Sequence, residues 1–433
     1  MNARSDESNA SRGRSKSYMH ALRAALFLCI PIGLVRVAES NDFASHIAHV
    51  LCVGLAGICA ALAALGIGYT WLAGEFVRRF FARACAQPSS FPGVTLVKPL
   101  CGDEWNLEHN LVSFFEQDYP GPVQFVFGVH DPADVALATV ERLRAQYPHA
   151  QVSVVIDSRL YGPNRKIGNL VNMLEHAEHD VLCFADSDVT VERSYLRHVV
   201  GALQGPGVGL VTCVYRGLCA PGWWPRFSAA ATNYHFLPGV VTGLAIGRAR
   251  PCFGQTIAME RTMLERIGGL TQFAHHLAED HAIGDAVRRT GATVAIPPFT
   301  VRHACVETSF AKFVAHELRW SRTIRAVDRA GHLGSVLMHP IPFAMLAVLM
   351  SEGAAWAWVL AGIALVARLA LKWRSDNAVQ QTHRGIWLLP MWDALSFGIY
   401  VASFFSSRVE WRGFRFEVDE EGLLSPAHEE SAQ

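Results

Sequence analysis

From Ile47 to Leu72 the chain carries no Asp, Glu, Lys or Arg. The hydrocarbon core of a bilayer takes about 20 apolar residues of helix, so this run is long enough to cross one. Arg78, Arg79 and Arg83 follow it, a cytosolic flank by the positive-inside rule. The polar residues 1–17, rich in Ser, Arg and Asn, are expected to be disordered and cytosolic too. A shorter apolar run, Ala21 to Val35, is interrupted by Arg23. It is brief for a span, and a cleavable signal peptide is the alternative, but no small-x-small site follows it cleanly. Two spans within 18–75, joined by an outside loop from Ser40 to His46, satisfy both flanks. One span does not.

The 38 Lys and Arg balance the 38 Asp and Glu, so no basic excess points to nucleic acid. Hydrophobic residues make up 51% of the chain, which fits one sizeable soluble domain plus membrane segments. The ten cysteines form no C-x-x-C pair and no Cys/His metal spacing. They are expected to be reduced thiols packed as small hydrophobes.

A soluble domain is expected over 91–330. Val94 to Val97, Val123 to Val129, Val152 to Ile156 and Val181 to Phe184 read as strands. Helical spacing fills Asn106 to Phe115, Val135 to Tyr147 and Lys166 to His176 between them. Strands alternating with helices predict a mainly parallel α/β sheet with ligands at the strand C-termini. Two further strands are expected at Gly209 to Tyr215 and Thr256 to Met259, with helices at Met263 to Ile267 and Ala282 to Arg289.

The apolar strand Val181–Phe184 runs into Asp186-Ser187-Asp188. Two carboxylates cannot be buried without partners, so they belong at a strand tip and cleft mouth. Alternate residues of an extended segment share a face, and hard divalent ions favour such oxygens beside substrate phosphates. A polar turn is the plainer reading of Asp-x-Asp alone. Asp131 falls at another strand end, which favours a site. Glu279 and Asp280 suit the first turn of a helix, where capping competes with chemistry. Between Phe313 and Arg325, helical spacing sets His316, Arg319 and Trp320 on adjoining faces, either for lipid headgroups or for a diphosphate and sugar. Apolar segments return over 335–405, with Asp393 inside the last of them, either lining a cavity or facing water. The tail, 406–433, is basic from Arg408 to Arg415, which favours the cytosolic side.

The order Asp131, Gly162 to Leu170, Asp186-Ser187-Asp188, Ala278-Glu279-Asp280 and His316 to Trp320 resembles the ceramide glucosyltransferase-like family of processive-type inverting glycosyltransferases. The resemblance runs from about Val94 to Arg325. It implies a GT-A, Rossmann-like domain between N- and C-terminal membrane helices. It further implies Asp280 as general base, Asp188 as ligand of a divalent cation, Mg²⁺ or Mn²⁺, and a UDP-sugar donor. Pro99, Glu104, Asp131, Lys166, Asn169 and Asp186 are then expected at the nucleotide-sugar, and His316, Arg319 and Trp320 at the diphosphate and acceptor. Where His316 stands the wider family usually has Gln or Arg.

Phe114 to Pro120 and His316 to Arg325 are most similar to the family's bacterial hopanoid-modifying members. That similarity implies N-acetylglucosamine as the sugar, bacteriohopanetetrol as the acceptor, and a multi-pass bacterial inner-membrane protein with its catalytic domain in the cytosol. A ceramide acceptor with UDP-glucose, a polysaccharide synthase and a non-catalytic scaffold are the rivals. Few segments follow the domain to build a channel, and no acid or Arg-Trp pair is missing.

Overall fold

The computed structural model describes residues 42–381, 385–405, 408–411, 414–418 and 424–426. The first short apolar run and the N-terminal tail lie outside the described residues. Two compact units share the chain. One gathers 42–78, Trp223–Ala245 and the chain from Glu307 onward to the last apolar helix. The other holds Arg79–Gly222 and Ile246–Val306. Residues 223–245 and 307–330, within the stretch expected to be one soluble domain, thus group with the apolar helices.

Helix α1 (Asp42–Phe81) contains the long apolar run and turns Val50, Leu51, Leu55, Ile58 and Leu65 outward. An exposed row of large aliphatic side chains suits lipid, not water.

The second unit is built on a seven-stranded mixed sheet. Its strands are β1 (Val94–Pro99), β2 (Val123–Val129), β3 (Gln151–Ile156) and β4 (Val181–Phe184), with β5 (Val189–Thr190) set apart from them. Then come β6 (Val208–Thr212), β7 (Val214–Cys219), β8 (Ile257–Glu260), β9 (Thr293–Ala295) and β10 (Thr300–Cys305). The order is β3-β2-β1-β4-β8-β6-β9. β1 to β4 pair in parallel, whereas β8 runs antiparallel to both β4 and β6. β1, β2 and β4 are almost wholly buried and mostly apolar, broken by Thr95 and Lys98 in β1 and Gln124 in β2.

The strand order, which runs β3-β2-β1 and then jumps to β4, switches between β1 and β4, where an open α/β sheet leaves a crevice at its carboxyl ends. Helix α2 (Arg165–Leu174) packs over β2 at Gly128, where a Cβ would collide with Met173 and with Asn169 Oδ1. The expected strand from Gly209 to Tyr215 is two strands, broken at Cys213, and its second half joins β10 and β5 in a separate sheet. Helix α3 (Glu279–Arg289) begins with the two acids.

In the first unit, α4 (Phe310–Val327) is capped by Ser309, whose side chain accepts from Lys312 N. α5 (Pro340–Met350), α6 (Ala355–Ala378) and α7 (Leu389–Ala402) are apolar. Among the described residues α1 and α6 are long and apolar enough to cross a membrane. The pair Arg329–Met338 and α5, bent by 61°, makes a third if it is one span.

α6 is turned inside out relative to a soluble helix. Trp356, Trp358, Val359, Val366 and Trp373 are exposed, while Arg368, Lys372 and Asp376 are buried. Asp393 on α7 does not face water. It is 0% exposed and takes both ends of the Arg368 guanidinium at 2.8 Å.

Candidate active site

The sheet unit gathers its charges at the carboxyl ends of β1 and β4. Asn164 caps α2, its Oδ1 accepting from Ile167 N at 3.1 Å. That cap sets the first turn of α2 so that Lys166 reaches Asp186 Oδ1 at 2.6 Å and Glu279 Oε1 at 3.1 Å. Asn164 also donates through Nδ2 to Glu279 Oε2 at 3.1 Å. One ammonium therefore ties the end of β4 to the start of α3. The packing is tight: the space left among Pro99, Lys166, Asp186, Gly254 and Glu279 is about 10 Å³, one water at most.

Gly254 marks the centre of this cluster. A Cβ there would lie 2.7 Å from Lys166 Nζ, 3.4 Å from Asp186 Oδ2 and 3.8 Å from Asp280 Oδ2. Any larger residue would fill the ground between base candidate and cation. Its amide is used as well, donating to Asp280 Oδ2 at 3.0 Å, while His281 N donates to Oδ1 at 2.7 Å. Burial pushes the Asp280 carboxyl up to about 7, and the neighbouring Glu279 charge adds to the rise against the pull of Lys166 and the two amides. A carboxyl near neutrality is what a general base needs, since it is ionised at working pH yet basic enough to take a proton. Capping does not account for Asp280, because one of its oxygens leaves the helix for the 252–256 turn.

Asp188 stands apart from this cluster. Its Oδ2 lies 3.4 Å from His303 Nδ1 on β10, brought there by the antiparallel pairing of Val189 with His303. Burial disfavours its charge, but His303 and the lysines hold its carboxyl below the usual range. The other oxygen, Oδ1, is buried with no hydrogen-bond partner among the described residues. An orphaned carboxylate oxygen beside an imidazole fits a divalent cation that takes its remaining ligands from phosphate and water. Among the described residues no group of three or more His, Cys, Asp and Glu is placed to hold a metal ion by itself.

Lys98, a residue the motif pattern missed, is completely buried. It donates to the Asp186 carbonyl at 2.9 Å and rests 3.5 Å from the centroid of the Phe114 ring. Burial drives its ammonium down to about 7, against the pull of Asp186, Asp188 and Glu104. A lysine inside the apolar run of β1 was the one signal available for it. His303 gave none, because only strand pairing brings it to Asp188.

The other expected residues fall as follows. Asp131 follows β2, is exposed, and accepts from Ala133 N at 2.8 Å. Glu104 lies half-buried in the loop after β1, which Asp134 fastens through Gly102 N at 3.0 Å. Asn169 meets the carboxyl end of β2. It is buried, and its amide donates to Gly128 O at 2.8 Å, fastening α2 to β2. His316, Arg319 and Trp320 lie on α4 in the helical unit. There His316 pairs through Nδ1 with Glu307, and its ring meets the Trp320 indole edge-on at 5.1 Å. Burial opposes the Glu307 charge, yet His316 holds that carboxyl below its ordinary range.

Residues 58–424 match the family model described as Glycosyl transferase family 21. The chain belongs to glycosyltransferase family 21. Relatives of this family 21 chain include ceramide glucosyltransferase 1 of Caenorhabditis elegans, 22% identical over 53% of the chain and 49% of the relative. Ceramide glucosyltransferase of Candida albicans is 32% identical over 27% of the chain and 23% of the relative. The chain thus spans about half or less of the length of these curated relatives. Among solved structures, a mannosyltransferase of Pyrobaculum calidifontis in complex with GDP-Man and Mn²⁺ aligns over 81% of this chain and 99% of that one. The TM-score is 0.47 at 21% identity.

Proposed function

We propose that the protein is an inverting glycosyltransferase that moves N-acetylglucosamine from UDP-N-acetylglucosamine to a hydroxyl of bacteriohopanetetrol at a membrane surface. The observation that carries the reading is Asp280, a carboxyl raised to about 7 beside a fixed ammonium at the crevice of the sheet. In the reaction the acceptor O–H gives its proton to the Asp280 carboxylate. The freed oxygen bonds to the anomeric carbon as the bond from that carbon to the diphosphate breaks, and the electron pair leaves with UDP. Attack opposite the leaving group inverts the centre once. Asp188 and His303 would hold a divalent cation, Mg²⁺ or Mn²⁺, which when bound would supply Lewis-acid charge for the diphosphate.

The remaining roles follow side-chain chemistry. Lys166 and Asp186 meet the donor, Asp186 on the ribose side, with Asp131, Glu104 and Pro99 toward the uracil. Arg319 suits paired hydrogen bonds to a diphosphate, which Lys reproduces poorly. Trp320 suits stacking on a sugar or acceptor, and His316, paired with Glu307, suits donation to phosphate as an imidazolium. The apolar helices support a lipid acceptor, because a polycyclic lipid stays in the bilayer. We assign the protein to the bacterial inner membrane, with the sheet unit in the cytosol.

A second reading, transfer of glucose from UDP-glucose to ceramide, is favoured by the names of the curated relatives. Expression followed by lipid extraction and mass analysis separates the two. A hexosamine added to the hopanoid tetrol supports the first, and a hexose on ceramide replaces it with the second. No sugar-bearing lipid in either background overturns both.

A further inference from the structure

Lys166, a cation beside the base candidate, is held by other acids. Lys166 Nζ sits between Asp186 and Glu279, at 2.6 and 3.1 Å, and among the described residues Asp280 has no ion-pair partner of its own. Glu279 is 8% exposed, and its second oxygen is fixed by Asn164 Nδ2, so both oxygens have defined partners. Asn164 is itself fully buried and anchored, its backbone N donating to Ala274 O at 2.9 Å and its Nδ2 to His276 O at 3.0 Å. The chain of contacts Asn164–Glu279–Lys166–Asp186 is therefore anchored at its Asn164 end.

We propose that Glu279 is a positioning residue for the transfer reaction. It holds Lys166 against Asp186 and so keeps the Asp280 carboxylate free of a salt bridge. The inference rests on Asp280 as base. A carboxylate paired with an ammonium loses proton affinity and with it strength as a base. Glu279 acts in two ways at once, because it draws the cation off Asp280 and sets a like charge one residue away.

The groups that face Asp280 are few. Glu279 adjoins it on α3, Lys166 approaches from α2, and Asp186 from the end of β4. Gly254 N–H and the buried Cys252 thiol come from the turn before β8. Burial and the Asp280 charge keep that thiol protonated. The imidazole of His281, next in sequence, is turned to Asp285 at 3.3 Å.

The test is the pH dependence of kcat for wild type, Glu279→Gln and Lys166→Met, in nanodiscs, on the UDP-sugar and lipid pair that wild type turns over. Wild-type kcat should fall on the acid side with a midpoint near 7. In Glu279→Gln the ammonium is shared with Asp280, so that midpoint should move down, by on the order of 1 pH unit. Lys166→Met should move it up, and it carries the test should Glu279→Gln fail to fold. A purely structural role for Glu279 would lower kcat at every pH and leave the midpoint in place. Unmoved midpoints overturn the proposal. Asp280→Asn, run beside them, separates the two assignments. If it still turns over, the base assignment falls. If it is inactive while the midpoints stay put, only the role of Glu279 falls.

Discussion

Each unit contains a cluster of buried or half-buried charge, and the two clusters are finished differently. In the helical unit Arg368 takes both oxygens of Asp393 at 2.8 Å and also donates to the Tyr234 carbonyl at 3.0 Å. Lys372 meets Asp376 at 2.6 Å, and the Tyr234 hydroxyl donates to the other Asp376 oxygen at 2.8 Å. These cations and anions stand in matched pairs, each pair nearly unexposed. At the strand ends the sum does not close. Among the described residues Lys166 serves two acids, Asp280 takes only backbone amides, and Asp188 keeps one buried oxygen without a partner. Saturated charges in an apolar bundle fix how helices pack. Unsaturated ones at strand ends are ready for a ligand, a metal or a proton.

Substitution should break the two clusters in different observables. The largest effect belongs to Asp280→Asn, which keeps the shape but cannot accept the proton. Transfer should fall by about 10²–10⁴-fold while UDP-sugar binding survives, as single-turnover kinetics and a donor titration would record. Nearly as large, but in stability, is Arg368→Leu, which strands Asp393 in the bundle. A cost of about 3–5 kcal/mol is expected, seen as a lowered Tm in nanodiscs. Adding Asp393→Leu should recover most of that loss, because the uncompensated charge goes too. A double variant as unstable as the single one would mean that the pair contributes more than mutual neutralisation.

The pH profile comes next. Because the Asp280 pKa is raised, the working anion is lost as pH falls through about 7, so kcat should be roughly tenfold lower one unit below that midpoint. A profile flat from pH 6 to 8 would remove Asp280 from the rate-setting proton transfer. Smallest is Asn164→Ala, which removes a helix cap and one partner of Glu279. About 1 kcal/mol of stability is expected from the cap, measured by thermal melting.

The strands β1 to β4 and helix α2 were legible because each is a continuous or strictly periodic apolar pattern with a turn at its end. The break at Cys213 was not, since Gly209 to Tyr215 stays apolar while the chain changes sheets. The antiparallel course of β8 was equally hidden, as a short buried strand carries no sign of direction. Asp186 and Asp188 stood out as charges at the end of an apolar run, and Asp280 as an acid in the first turn of a helix. Their partners did not: His303 meets Asp188 through strand pairing, and Glu279 meets Lys166 across two helices. Asp393 was open between a cavity and water until its partner Arg368, on the preceding apolar helix, closed the question.

The claim at the centre is that the strand-end carboxylates bind a nucleotide-sugar through a cation. Titration of UDP-N-acetylglucosamine and UDP-glucose into the protein in nanodiscs, with Mn²⁺ and then with chelator, tests it on wild type and Asp188→Ala. The account predicts binding by wild type that needs the cation, and binding by Asp188→Ala that is weakened and indifferent to it. Equal affinity in both proteins, with or without Mn²⁺, would contradict it.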